Sequence, residues 1–380
     1  MLQRCWILKH HGVNRTGRAQ QLAGFDVVVT SYDTVVRDGG MFGMIEWPVV
    51  VLDEAQYIKN PGAIRTRAVK ALHRGTGIAV TGTPLENRLS DLWSLMDFAI
   101  PGHLGTLGEF QATYEDSVDA AARLEELISP VMLRRLVRDV ANDLPERIDI
   151  PQAVELTADE AHAYDRIRSA IFAEHGQAAT LVSLTKLRMF CAHPSLAEGA
   201  AHLAEFSKLE RLRDILEEII ASAQKVIIFT SYTEMADMIA RFVADQWGVF
   251  SATLDGRLPI DDRQPLIDRF SGVGGAAVLI LNPKAGGAGL NITAANHVIH
   301  YNLEWNPAVE DQASARSHRR GQTLPVTVHR LYCAGTVEEI VNDRSMRKRE
   351  LSGAAIVGVT GKDEDYADIL RALQRSPIQS

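Results

Sequence analysis

No apolar run in this sequence approaches the ~20 residues that a membrane-spanning helix needs, because Asp, Arg or Lys interrupts every long candidate. No membrane partner is expected. The stretch from Met1 to His11 has no extended apolar core followed by a small-residue cleavage site, which argues against secretion. Cysteine is scarce: Cys5, Cys191 and Cys333 are scattered, odd in number and without the paired spacing of a zinc site or redox couple. A reducing, cytoplasmic compartment is the expectation. Basic residues are not in excess either. The 40 Lys and Arg against 48 Asp and Glu leave a net charge of -8, so any nucleic-acid surface has to be local. There is no internal repeat and no low-complexity segment. No G-x-x-x-x-G-K followed by Ser or Thr occurs anywhere in the 380 residues.

What remains is a globular composition, 46% apolar and 23% charged, with length enough for two domains that each bury a core. Short β-branched runs end abruptly in polar or glycine-rich residues. They are Asp26 to Ser31, Val49 to Glu54, Gly77 to Thr83, Lys225 to Ser231, Ala277 to Asn282, His297 to Asn302 and Val326 to Tyr332, with a further strand expected over Cys5 to Lys9. Continuous rather than alternating hydrophobicity predicts strands buried on both faces, as in parallel sheets covered by helices. Helical periodicity over Ala63 to His73, Met235 to Gln246 and Leu266 to Phe270 lies between them, which predicts α/β lobes. A mostly helical stretch from about Leu85 to Ile220 separates the two groups of strands. Within it Leu144-Pro145-Glu146 and Pro151 read as a break, and Ser207-Lys208 opens a long amphipathic helix. The last residues, from about Arg375, are expected to fray.

In open α/β sheets ligands bind beyond the carboxyl ends of the strands. Asp53 and Glu54 stand there, after Val49 to Leu52. Two adjacent carboxylates at a strand end suit a nucleotide-bound magnesium, one holding the ion and the next orienting the attacking water. A strand-end acidic pair that only caps a helix is the bland alternative. The longer string Asp53-Glu54-Ala55-Gln56-Tyr57-Ile58-Lys59-Asn60 is more specific. It resembles the second motif of superfamily-two helicase-like ATPases, in the form found in the Swi/Snf branch of DNA translocases. Thr81-Gly82-Thr83-Pro84-Leu85-Glu86-Asn87 resembles that branch's third motif, and Thr30-Ser31-Tyr32 a motif that meets the DNA backbone.

The second half continues the resemblance. Phe229-Thr230-Ser231 is similar to the fourth motif, and Leu254-Asp255-Gly256, with Arg263 and Phe270 behind it, follows the family pattern. The loop from Lys284 to Asn291 resembles the fifth motif, a glycine-rich strand end of the kind whose backbone N–H groups approach phosphate oxygens. The string from Gln312 to Gln322, which includes Arg316-Ser317-His318-Arg319, resembles the sixth. Arg316 and Arg319 stand three apart, so on a helix they would share one face. Such a guanidinium can neutralise charge on a transferred phosphoryl group. Two arginines at that spacing are also what a solvated helix face shows. Arg134, Arg135 and Arg138 form a basic cluster that fits phosphate contact and an exposed helix face alike. His297 and His300 lack a third ligand at metal spacing, and Trp305 reads as a packing anchor.

The resemblance covers nearly the whole chain and implies an α/β protein of two RecA-like lobes with parallel sheets and helical insertions between them, the first lobe incomplete. It implies a partial N-terminal lobe over 1–100, a helical region over 101–202, a C-terminal lobe over 203–349 and a helical tail over 350–380. Catalysis falls to Asp53, Glu54, Arg316 and Arg319, with Arg319 the finger. ATP contacts fall to Gln56, Gly287, Gly289 and Gln312, and Mg2+ to Asp53 through the nucleotide. DNA contacts fall to Thr30, Ser31, Thr81, Thr83, Thr230, Ser231 and Lys284. The cofactors are ATP and Mg2+, and the partner is double-stranded DNA held through its backbone, in the nucleoid if the source is bacterial.

One departure matters. The family's phosphate-binding lysine loop belongs upstream of Thr30-Ser31-Tyr32 and is absent here, as are its opening strand and helix. The first lobe is therefore expected to lack interior strands, and the second to be the better folded. Three functions fit: a motor whose upstream part or partner chain is missing, a non-catalytic DNA-binding or regulatory remnant, and a module that supplies Arg316 and Arg319 to another protein's nucleotide site.

Overall fold

The computed structural model describes residues 5–12, 15–82, 88–133, 135, 144–175, 181–197, 206–284, 290–354 and 362–378. The chain forms two compact units, the first mainly Met1–Met132 and the second Leu133–Gly353 with Lys362–Ser380. Both are α/β. No helix among the described residues is long and apolar enough to cross a membrane.

The first unit carries four strands in two separate parallel pairs. Strands β1 (Ile7–His10) and β2 (Val27–Thr30) pair with Ile7 opposite Val27. Strands β3 (Trp47–Leu52) and β4 (Arg74–Ala79) pair with Val49 opposite Thr76. The expected strand Gly77 to Thr83 therefore starts earlier, at Arg74, and ends at Ala79. Gly75 and Gly77 are needed there by close approach: a Cβ on Gly75 would lie 3.0 Å from the Pro48 carbonyl oxygen, and one on Gly77 2.7 Å from that of Phe98. One face of the strands packs on Leu22, Val35, Phe42, Val69 and Phe98. On the other face Val27, Val29, Val49 and Val51 are exposed. The helices Leu89–Ala99 and Val118–Ile128 build a second small core around Leu92, Trp93, Phe110 and Leu124.

The second unit holds one six-stranded, all-parallel sheet: β5 (Arg147–Val154), β6 (Lys225–Phe229), β7 (Phe250–Leu254), β8 (Ala277–Leu281), β9 (His297–His300) and β10 (Val326–Cys333), in the order β5-β10-β9-β6-β8-β7. Helices Ser207–Ala221 and Thr233–Trp247 cover one face through Leu212, Leu216 and Ile239. Ile260–Gly272 covers the other through Ile267 and Phe270. Every side chain of β8, and those of β6 from Val226 to Phe229, are sealed from solvent. That is what continuous apolar runs in a doubly covered parallel sheet require.

Three sequence expectations are corrected in this unit. The stretch read as mostly helical contains β5, and the break at Pro151 lies inside it. Pro151 is tolerated because β5 is an edge strand paired only with β10, so its missing N–H breaks no interior ladder. The helix expected over Leu266 to Phe270 begins at Ile260, its first turns hidden in the sequence by Pro265. The tail past Arg375 is tied down rather than frayed through Ile378: Arg375 pairs with Glu339 at 2.6 Å, and the Ser376 hydroxyl donates to Asp165.

Candidate functional site

The sheet dictates where chemistry can gather, because side chains after the strand ends are held by the ladder behind them. In the first unit that place follows β3. Pairing continues past the strand, with Val80 N–H donating to the Leu52 carbonyl and Ala55 N–H to that of Val80, so Asp53 and Glu54 are fixed between two backbone bonds. Glu54 takes a left-handed backbone, φ 51 and ψ 50. For a residue with a side chain that conformation costs about 1–3 kcal/mol and persists only where its surroundings hold it. The Glu54 N–H donates to Asp53 Oδ1 at 3.0 Å. Gln56 Nε2 donates to Glu54 Oε2 at 2.5 Å, and the Thr81 hydroxyl donates to Gln56 Oε1 at 2.6 Å.

A chain of polar contacts thus runs from Thr81 through Gln56 to Glu54. Asp53, Glu54, Gln56 and Thr81, separated in sequence by up to 28 positions, are brought together. Tyr32 closes the group by donating its hydroxyl to the Asp53 carbonyl at 2.8 Å. Burial, and then the Asp53 and Glu54 carboxylates, hold the Tyr32 hydroxyl well above its ordinary pKa, so it stays a donor throughout the neutral range. Thr30 and Ser31 serve locally: the Thr30 hydroxyl donates to the His10 carbonyl at 2.9 Å, and Ser31 caps the helix Tyr32–Arg37 by accepting from Thr34 N–H. Thr83 lies outside the described residues.

In the second unit the ends of β6, β8 and β9 meet. The Thr230 hydroxyl donates to Asn302 Oδ1 at 2.7 Å, and the Ser231 hydroxyl donates to Glu304. Asn282 Nδ2 donates to the Ser231 carbonyl, and Asn282 Oδ1 accepts from the Lys284 N–H at 2.9 Å. The Lys284 ammonium stands 3.6 Å from the Glu304 carboxylate and is largely exposed. Arg316 reaches the same neighbourhood: Nη2 donates to the Pro283 carbonyl at 3.1 Å, and the guanidinium lies over the Phe229 ring at 5.8 Å. Its Nη1 is buried without a hydrogen-bond partner, and burial lowers its pKa. Arg319 is exposed.

One geometric premise fails. The helix that carries Gln312, Pro307–Ser314, ends before Arg316, so Arg316 and Arg319 lie in consecutive turns and share no helix face. What holds that turn is Gln322, whose amide donates to the carbonyls of Thr293, Ala295 and Ser317 while its oxygen accepts from Thr323 and Leu324 N–H. Gly287, Gly289, Arg134 and Arg138 lie outside the described residues. Arg135 is exposed. Trp305 packs in the second unit's core with the Arg344 guanidinium 4.7 Å from its ring.

Sequence reasoning placed Tyr32 in the Thr30-Ser31-Tyr32 motif rather than beside Asp53, and missed Asn282, Asn302 and Glu304. The available signal was positional: Asn282, Asn302 and Glu304 follow apolar strands just as Thr230 does. The acidic pair suits a hard divalent cation, which takes oxygen ligands. Asp53 and Glu54 therefore fit Mg2+, while the described residues around them include no glycine-lysine loop for phosphates.

Residues 3–196 match the SNF2-related domain family, and residues 207–321 match the helicase conserved C-terminal domain. YwqA of Bacillus subtilis is 37% identical over 350 residues, which is 87% of this chain and 38% of YwqA. The Zorya protein ZorD of Escherichia coli is 36% identical over 356 residues, 86% of this chain and 33% of ZorD. The chain thus spans about a third of the length of these relatives. The SWI2/SNF2 ATPase core domain of Sulfolobus solfataricus is similar in structure, with a TM-score of 0.51 and 31% identity over 98% of this chain and 79% of that one.

Proposed function

The chain belongs to the SNF2-related family of helicase-like ATPases, and from that premise we propose that it serves in an ATP-driven motor that moves on double-stranded DNA. The observation that supports this best is the group after β3: an acidic pair with Glu54 in a left-handed backbone, its carboxylate bonded to Gln56, Gln56 in turn to Thr81, and the Asp53 carbonyl to Tyr32. A left-handed backbone whose carboxylate is bonded to a side chain that is itself held is preorganised for more than capping.

In this reading Asp53 holds the magnesium of the nucleotide, and magnesium bound there neutralises charge on the phosphates. Glu54 orients and deprotonates the attacking water, with Gln56 fixing its carboxylate. Arg319, exposed and in a turn held by Gln322, is the cation offered to the transferred phosphoryl group, and Arg316, half-buried over Phe229, is its neighbour at the phosphate. Gln312, Gly287 and Gly289 contribute nucleotide contacts. Thr30, Ser31, Thr81, Thr83, Thr230, Ser231 and Lys284 lie along the DNA backbone, which predicts binding without sequence preference. The site of action is the cytoplasm or nucleoid.

A second reading is a protein that binds duplex DNA without turning over ATP. Magnesium-dependent ATP hydrolysis by the 380-residue chain, with and without duplex DNA, separates the two. DNA-stimulated turnover that falls by about 10²-fold or more in Glu54→Gln supports the motor. Salt-sensitive duplex binding with no turnover supports the second reading. Neither turnover nor duplex binding overturns both.

A further inference from the structure

Of the three cysteines that look scattered in the sequence, the fold brings two together. Cys191 lies in the last turn of the helix Leu181–Ala192, and Cys333 ends β10. Glu338, in the first turn of the helix Val337–Ala354, joins them. The two thiol sulfurs and a Glu338 carboxylate oxygen lie within 4.8 Å of one another, and all three side chains are buried. Thr336 adjoins the group. Its hydroxyl accepts from the Cys191 thiol at 3.6 Å and from the Glu338 N–H at 3.2 Å, and donates to the Cys333 carbonyl at 2.7 Å. The Cys333 thiol donates to the Cys191 carbonyl at 3.7 Å.

Three chemistries could use such a thiol pair, and the surroundings choose among them. Closure to a disulfide needs a thiolate that an oxidant can reach. Both thiols are sealed, and burial pushes the Cys333 thiol well above its ordinary pKa. A hard cation takes oxygen ligands and would leave the sulfurs unused. A borderline-soft divalent ion takes thiolate and carboxylate together. Charge selects the same ion. Two thiolates and one carboxylate carry three negative charges, which a divalent ion and the Lys208 ammonium on Glu338 cancel inside the core. A monovalent soft ion would leave one of them uncompensated, at high cost in a sealed site. Glu338 accepts twice from Lys208 and once from the Cys333 N–H, and a carboxylate has about four acceptor sites, so one remains for the ion. Ligands of a tetrahedral zinc stand about 3.5–4 Å apart, so the donors have about 1 Å at most to close. The Thr336 lone pair that takes the Cys191 proton is freed when that proton leaves, which supplies a fourth oxygen.

We propose that Cys191, Cys333 and Glu338 hold one zinc ion, with the Thr336 hydroxyl as the fourth ligand. All four positions come from the protein and none opens to solvent, so the ion is structural. It ties the end of the helix Leu181–Ala192 to the end of β10 and the start of the helix Val337–Ala354, across 142 positions of chain between the two cysteines. The proposal stands on side chains of the second unit's core and needs neither ATP nor DNA. Its failure leaves the proposed motor untouched, and the reverse.

The test uses Co2+ as a visible stand-in for Zn2+ on the reduced 380-residue chain. The ion is loaded in mild urea, so that the sealed site can open, and read after the urea is removed. The expected result is a thiolate-to-cobalt charge-transfer band that saturates at one ion per chain and is abolished by Zn2+. Cys191→Ala and Cys333→Ala should each weaken Co2+ and Zn2+ binding by about ten-fold or more, whereas Cys5→Ser, at the exposed cysteine, should change neither. A readout on the unaltered chain covers the case in which those variants misfold. Zn2+ should slow alkylation of Cys191 and Cys333 in mild urea by about ten-fold or more, with Cys5 reacting at an unchanged rate. Absence of the band, its persistence in Cys191→Ala, alkylation unchanged by Zn2+, or binding of Ag+ with no binding of Zn2+ each overturns the proposal.

Discussion

Strands β2 and β3 of the first unit and β6 and β8 of the second are the same kind of sequence, VVVT and VVVL beside VIIF and VLIL. Their fates differ. The inner strands of the second unit are sealed from solvent, with helices on both faces and a strand on each edge. In the first unit Val29 is 52% exposed and Val51 58%, and among the described residues each strand has one neighbour. A continuous apolar run therefore states the burial a strand is built for. Whether it is achieved depends on neighbours the strand does not encode.

The largest expected effect would break the second unit's advantage from inside. The Lys208 ammonium donates to both Glu338 carboxylate oxygens, at 2.8 and 2.6 Å, with both side chains buried. Lys208→Met strands a buried carboxylate and should cost about 3–5 kcal/mol in denaturant unfolding, while Lys208→Met with Glu338→Leu should recover most of it. A milder test uses one truncation in both units. Ile280→Ala, at a sealed position, should cost about 2–5 kcal/mol, whereas Val51→Ala, on the exposed face, should stay under about 1 kcal/mol. Equal losses would mean that Val51 is covered in solution.

The second unit also has a pH liability. Burial first, then His297 and Arg211, bring the His329 pKa from 6.5 down to about 4. The folded state thus disfavours the imidazolium. The contribution of neutral His329 is fully present above pH 6.5 and is lost as pH falls from about 6.5 to about 4, amounting to about 3 kcal/mol. Thermal melts at pH 7, 5.5 and 4 should show that loss, and His329→Gln should flatten it. In the first unit the smallest effect has the opposite sign. Glu54→Gly relieves the left-handed backbone and should gain about 0.5–1 kcal/mol while removing any ATP turnover, a separation that a merely structural Glu54 would not show.

The acidic pair, the arginines and most strands were legible because each is a local pattern: an apolar run, then a polar residue at the strand end. Strand β5 was not, since Pro151 reads as a break unless its edge position is known. Glu304 was not, because a lone carboxylate two residues past Asn302 has no meaning until β6 and β9 lie side by side and bring Ser231 to it. Arg316 and Arg319 were legible as residues and misread as geometry, because three-residue spacing implies a shared face only inside a helix, and this one ends at Ser314.

By itself, then, the sequence determined most of the segments that become strands and where their reactive ends fall. Those are properties of short stretches and of composition, set by side-chain periodicity and backbone preference. Tertiary structure decided which strands acquire two neighbours and which carboxylates find a cation. The physical reason is that pairing edges, burying charges and straining Glu54 are all settled by residues distant in sequence, whose approach no local pattern records.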